Sequence, residues 1–180
     1  MPGRTPAEAF KAFMDPIALA CSCLGRVKAT TSPGGRHEPN REHAWQLNNG
    51  LGFSVGGWHF SAEMGYMMIP DAVNGPWRVT TTAYRYRLAA IGQDVFRIHW
   101  HPAGNSPITY PHLHANLSPE QKLASSLDAH LETDRMSLER ALRWAFELGM
   151  PPRRDDWEDV LLSTEAPHLE HRTWERGGPP

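Results

Sequence analysis

WRVTTTAYRYRLAAIGQDVFRIHWH, residues 77–101, decides the fold. On both sides of Gly92-Gln93-Asp94 the side chains alternate with a period of two, the pattern of two strands joined by a hairpin turn. In the first strand, 77–89, this period puts Val79, Thr81, Ala83, Arg85 and Arg87 on one face and Thr80, Thr82, Tyr84, Tyr86 and Leu88 on the other. The second strand, 95–101, sets Val95, Arg97, His99 and His101 against Phe96, Ile98 and Trp100. One face of the hairpin is thus aromatic and aliphatic, and the other carries arginine and histidine.

Upstream, the glycine- and aromatic-rich stretch 45–69 reads as strands at 53–55 and 58–68 joined by tight turns. Downstream, 102–107 reads as a loop and 108–115 as a third, shorter strand. The first 25 residues read differently. Ala9, Phe10, Phe13, Ile17 and Ala20 follow a helical period over 5–24, Thr5-Pro6 supplies a cap and a proline at N1, and Gly25 is a stop. Pro16 predicts a break or kink in that helix. After residue 117 helical signals return. Ser118-Pro119-Glu120-Gln121 starts a helix running towards His130, Ser137 caps a second that stops at Gly149-Met150-Pro151-Pro152, and Asp155-Asp156-Trp157-Glu158 opens a third. Helix, strands and helices in that order predict an α+β fold: an antiparallel β-sheet with an N-terminal helix and C-terminal helices packed on it. The expected organisation is one domain over 1–176, with the helix at 1–25, the sheet at 45–116, a helical part at 118–174 and a disordered tail at 177–180.

With 180 residues, 40% of them hydrophobic, the chain is long enough for one real core. A formal net charge of -2 argues against a strongly basic nucleic-acid binder. No stretch approaches the roughly 20 apolar residues of a membrane span, and no secretory leader is evident at the N-terminus. These features predict a cytoplasmic location and no membrane partner. Charge is unevenly spread. Residues 76–117 hold Arg78, Arg85, Arg87 and Arg97 against Asp94 alone, whereas 118–180 hold eight basic and thirteen acidic side chains. The histidine region is therefore locally positive and suits an anionic ligand. Cys21 and Cys23, two residues apart in the expected helix, form neither a disulfide framework nor a zinc knuckle and read as small buried residues.

Four of the ten histidines fall in sixteen positions: His99 and His101, then His112 and His114. Each pair has the i, i+2 spacing that puts both rings on one face of a strand, with Trp100 and Leu113 facing the core between them. If the two segments meet, four imidazoles form one patch. Two chemistries follow. In the first, with no cofactor, one neutral imidazole takes a proton from a ribose hydroxyl and a protonated one gives a proton to the leaving oxygen. There Arg97, Arg85 and Arg87 hold the phosphate, and Tyr84, Tyr86 and Tyr110 stack on bases. In the second, the same four histidines bind a divalent transition metal, zinc first among them. No acid lies between Trp100 and Ser118, so a carboxylate would have to come from Asp94, Glu63 or a helix. Elsewhere, His37, His43, His168 and His171 read as solvated side chains. His59 reads as hydrogen-bonded or core, and 50–56 as sheet turns, since a phosphate loop needs a following helix and a lysine.

Tyr84-Arg85-Tyr86-Arg87-Leu88, Val95-Phe96-Arg97-Ile98, Pro111-His112-Leu113-His114 and the helix opening Ser137-Leu138-Glu139 together resemble the TumE-like toxins of prokaryotic toxin–antitoxin pairs. The resemblance spans about residues 80–148. It implies RNA cleavage, with Arg97, His112 and His114 as functional residues, Tyr84 or Tyr86 near them, and a protein partner such as an antitoxin. The family's acidic residues just before its His-x-His are replaced here by Tyr110 and Pro111, and the pair His99 and His101 is additional. A ribonuclease-like protein is the first expectation and a metal-binding protein or metal-dependent enzyme of cupin-like or hydrolase type the second. The third is a non-catalytic subunit of a defence or regulatory complex that binds a partner through its acidic helices.

Overall fold

The computed structural model describes residues 2–31, 38–71, 75–103, 108–115 and 130–171. Among them, nine strands form one antiparallel sheet: β1 (Pro2–Gly3), β2 (Ala29–Thr31), β3 (Glu42–Leu47), β4 (Phe53–Val55), β5 (Trp58–Pro70), β6 (Trp77–Ala90), β7 (Gln93–Trp100), β8 (His112–Ala115) and β9 (His130–Glu132). Seven of them run side by side in the order β2-β3-β5-β6-β7-β8-β9, while β1 pairs with β6 and β4 with β5. Three helices, α1 (Pro6–Cys21), α2 (Leu138–Glu147) and α3 (Trp157–His171), pack on the sheet. The α+β architecture is the one the alternation predicts, and no helix among the described residues is long and apolar enough to cross a membrane.

β5 shows why the sheet has two unlike faces. Phe60, Ala62, Met64, Tyr66 and Met68 are buried under the helices, and Ser61, Glu63, Gly65 and Met67 between them point to the other side. Tyr66 is fully buried between Phe10 and Phe13 of α1, with ring centroids 5.8 and 5.6 Å away. β7 repeats the pattern with Phe96, Ile98 and Trp100 buried.

β6 departs from its predicted faces. Val79 and Thr81 are buried, and so are Tyr84, Tyr86 and Leu88, although they differ in parity. The cause is a β-bulge: Gly65 pairs with Ala83 and Tyr66 with Thr81, so Thr82 is an extra residue and the faces of β6 exchange there. Val79 and Thr81 therefore lie on the core side, opposite the face that carries Arg85 and Arg87.

Other expectations are corrected too. α1 begins as predicted, with Thr5 Oγ1 accepting from Glu8 N at 3.2 Å and Glu8 accepting from Arg4 N at 2.8 Å. It runs on through Pro16, so of the break or kink that the sequence predicts there the break does not occur. The sheet starts earlier and ends later than 45–116: β1 and β2 precede that span, β3 begins at Glu42, and β9 occupies 130–132, where the sequence suggests helical structure. The helix start at Ser118 and the tail at 177–180 lie outside the described residues. His168, read as solvated, is 3% exposed; its ring packs edge-on against Phe13 at 5.5 Å, and its Nε2 is 3.8 Å from Oε1 of Glu139, itself 1% exposed. His43, read as solvated, lies on β3 with its ring 5.7 Å from Tyr66 and its Nε2 3.0 Å from the Glu38 carbonyl. His59 makes a hydrogen bond between its Nδ1 and Ser54 Oγ at 2.9 Å, far along β5 from the histidine pairs.

Candidate metal centre

β7 and β8 pair in the register His99↔His112 and Arg97↔His114, and β8 and β9 in the register His114↔His130 and His112↔Glu132. Directly opposite residues on neighbouring antiparallel strands share a face and stand about 5 Å apart. The two His-x-His pairs therefore meet, and the sheet adds His130. Ring centroids are 4.2 Å apart for His99 and His112, 4.6 Å for His99 and His114, 5.0 Å for His99 and His101 and 4.3 Å for His114 and His130. All five imidazoles lie on the face away from the helices, while Trp100 and Leu113 pack into the core, as the alternation predicts.

Three of the five converge further: His99, His112 and His114 offer ligand nitrogens that all lie within 4.8 Å of one another. His112 is only 1% exposed. Its Nδ1 is 2.9 Å from the Tyr110 carbonyl, which can only accept, so Nδ1 carries the proton and Nε2 keeps its lone pair. This is the arrangement of a metal-binding histidine, its outer nitrogen held by a carbonyl. His99 Nε2 and His114 Nε2 point at each other 2.5 Å apart, a hydrogen bond in which one ring donates and the other accepts. His99 Nδ1 is buried with no hydrogen-bond partner among the described residues. Burial, then the neighbouring His112, His114 and His101, then Arg85, hold the His99 imidazole down to about 3. Burial first, with His130 and His101, lowers His112 as well. Both rings are thus neutral in ordinary buffers, the form that binds metal.

The other expected site residues fall into three groups. Arg97 and Arg87 share the histidine face, but Asp94 binds both: Arg87 Nε donates to Oδ1 and Arg97 Nε to Oδ2, each at 2.5 Å. Asp94 is thereby occupied by arginines rather than offered as a ligand. Arg85 pairs across from His99 and is exposed. Tyr84 and Tyr86, expected to meet substrate, are buried on the helix side, and the Tyr84 hydroxyl accepts from Met136 N at 2.9 Å. Tyr110 stays at the site through its carbonyl, with its ring 6.0 Å from that of His112.

Two features escaped the sequence. One is His130, whose only signal is that His130-Leu131-Glu132 alternates as His112-Leu113-His114 does. The other is Glu42, which joins Glu63, a carboxylate the sequence already offers, on the same sheet face. Glu63 pairs across from Arg85 on β5, and Glu42 at the start of β3 accepts from Thr82 Oγ1 at 2.6 Å. Thr82 is the bulge residue, so the exchange of faces in β6 is what brings its hydroxyl to Glu42.

Searches against protein-family models, curated proteins and solved structures find no match to this chain.

Proposed function

We propose that this protein works through a trihistidine centre for a divalent transition metal, with His99, His112 and His114 as ligands and zinc as the first candidate. The observation that carries the reading is the convergence of three ligand nitrogens within 4.8 Å. The fixed tautomer of His112 supports it. Three imidazole nitrogens with no carboxylate among them would leave a bound ion its full charge and one position open. At such a position a bound water loses a proton near neutral pH, or a substrate oxygen is polarised, so metal-assisted hydrolysis is the chemistry the centre suits. His101 and His130 flank the three.

Metal-free RNA cleavage is the second reading. It draws on the resemblance to the TumE-like toxins and on Arg85, a guanidinium across from His99. It needs a protonated imidazole, and neither His99 nor His112 is one. It also needs arginines for the phosphate, and Arg87 and Arg97 are held by Asp94.

Cobalt(II) titration of the metal-free protein separates the two. The metal reading predicts visible absorption of low-symmetry, four- or five-coordinate cobalt that saturates at one equivalent and is lost in His112→Ala. No such band, together with RNA cleavage that persists in chelator and disappears in His112→Ala, would replace it with the second reading.

A further inference from the structure

Beside the histidines the sheet face is indented. Ala44, Gly65 and Ala83 pair across β3, β5 and β6 in one row and put no side chain beyond Cβ onto that face. They form the floor of a channel of about 390 Å³. Its polar rim is Glu42, Glu63, Arg85 and His101, and the His101 ring is 5.0 Å from that of His99, so the channel opens onto the proposed centre. Gly65 keeps it open. A Cβ there would come within 2.7 Å of Thr82 Oγ1 and 3.2 Å of Glu42 Oε1, the two atoms of the hydrogen bond that fixes Glu42.

The charges along this channel are ordered. The row Glu63, Arg85, His99 runs from β5 through β6 to β7, each residue directly across from the next. Glu42 stands on the other side of the Gly65 row, across from Met67, and turns its Oε1 back over Gly65, 3.2 Å from where a Cβ would be. With neighbouring strands about 4.8 Å apart, the Glu63 backbone stands roughly 5 Å from Arg85's strand and roughly 10 Å from that of His99. Neither Glu63 nor Arg85 has an ion pair among the described residues, so both can turn to a ligand. A polyanion lying along this face would meet two carboxylates. A molecule with opposite charges at its two ends would set its positive end against them.

We propose that the channel binds a linear amino acid zwitterion, its carboxylate beside Arg85 and the metal centre and its ammonium between Glu42 and Glu63. The metal-centre reading enters only at the carboxylate end; the ammonium end rests on the two glutamates alone.

Calorimetry on the zinc-loaded protein with 5-aminopentanoate, pentanoate and pentylamine tests this. The zwitterion should bind at least tenfold more tightly than either singly charged analogue. Glu63→Gln should reduce it to the level of pentanoate, and Arg85→Gln to the level of pentylamine, while both variants keep the unfolding temperature of the parent to within a few degrees. An aminopentanoate affinity no greater than that of pentanoate, or one unchanged in folded Glu63→Gln, would overturn the proposal. The metal-free protein distinguishes the two layers. A preference for 5-aminopentanoate over pentanoate that survives there, beside a failed cobalt titration, keeps the channel and removes the metal.

Discussion

Replacing Glu139 with Gln should remove a loss of stability that the parent shows as pH rises above 6.5 and add one as pH falls below it. Glu139 of α2 and His168 of α3 face each other in the core, 3.8 Å apart and almost fully buried. Burial pushes the Glu139 carboxyl up to about 8, with Glu165 adding to the effect, and burial holds the His168 imidazole down to about 4. Both groups are therefore neutral in the folded protein between those values. Cys21 of α1 and Tyr86 of β6 lie close enough to feel Glu139, and burial raises both, so they bring no charge to the pair.

Between pH 4.5 and 6.5 the unfolded chain has an ionised Glu139 and a protonated His168, whereas the folded chain has a protonated carboxyl and a neutral imidazole. Each state holds one proton, and the pair gives stability no slope. Above 6.5 the unfolded imidazole is neutral and the folded carboxyl keeps its proton until about 8, so the folded state holds one more. Stability then falls with rising pH at roughly 1.4 kcal/mol per unit, about 2 kcal/mol over the interval. In Glu139→Gln only His168 titrates. The unfolded state then holds the extra proton between 6.5 and 4, and stability is lost as pH falls instead. Urea unfolding of both proteins across this range reads the difference directly. Parallel pH profiles would show that Glu139 is ionised in the fold.

Zinc should stabilise the folded chain by about 4 kcal/mol when its free concentration is a thousandfold above its dissociation constant, because the unfolded chain does not hold three imidazoles together. His99, His112 and His114 come from two strands and meet only through the pairing of β7 with β8. The midpoint of thermal unfolding should rise with zinc concentration in the parent and stay fixed in His99→Ala. Magnesium, which prefers oxygen ligands, should leave both unchanged. A zinc-induced rise that survives in His99→Ala would place the metal elsewhere on the protein.

What the sequence discloses follows from how local each signal is. The hairpin of β6 and β7 and the strand β5 were legible because a half-buried strand writes its period into every second residue, and the same period showed that His99 and His101 share a face. That β7 and β8 meet was not, since pairing is a long-range event that neither strand encodes alone. β9 has three residues, and its single inward one, Leu131, is half exposed. It is a strand because β8 is beside it, which is why His130 went unnoticed. The bulge at Thr82 sits in Thr80-Thr81-Thr82, where a shift of one residue leaves the pattern unchanged to the eye. It decides that Thr82 reaches Glu42. His168 lies in a polar segment, and only the packing of α3 against α1 and α2 buries it. Arg97 was expected to hold substrate, but the turn that brings Asp94 beside it gives it a partner within the chain.

The metal content of the protein, purified without a histidine tag and measured by mass spectrometry beside the His112→Ala, His114→Ala double variant, tests the trihistidine centre most directly. The account predicts close to one equivalent of zinc, or of another first-row transition metal, in the parent after loading and dialysis. It predicts none above background in the double variant, with near-ultraviolet circular dichroism showing that the variant is folded. A folded parent that retains no metal, or a folded double variant that retains as much as the parent, would contradict it.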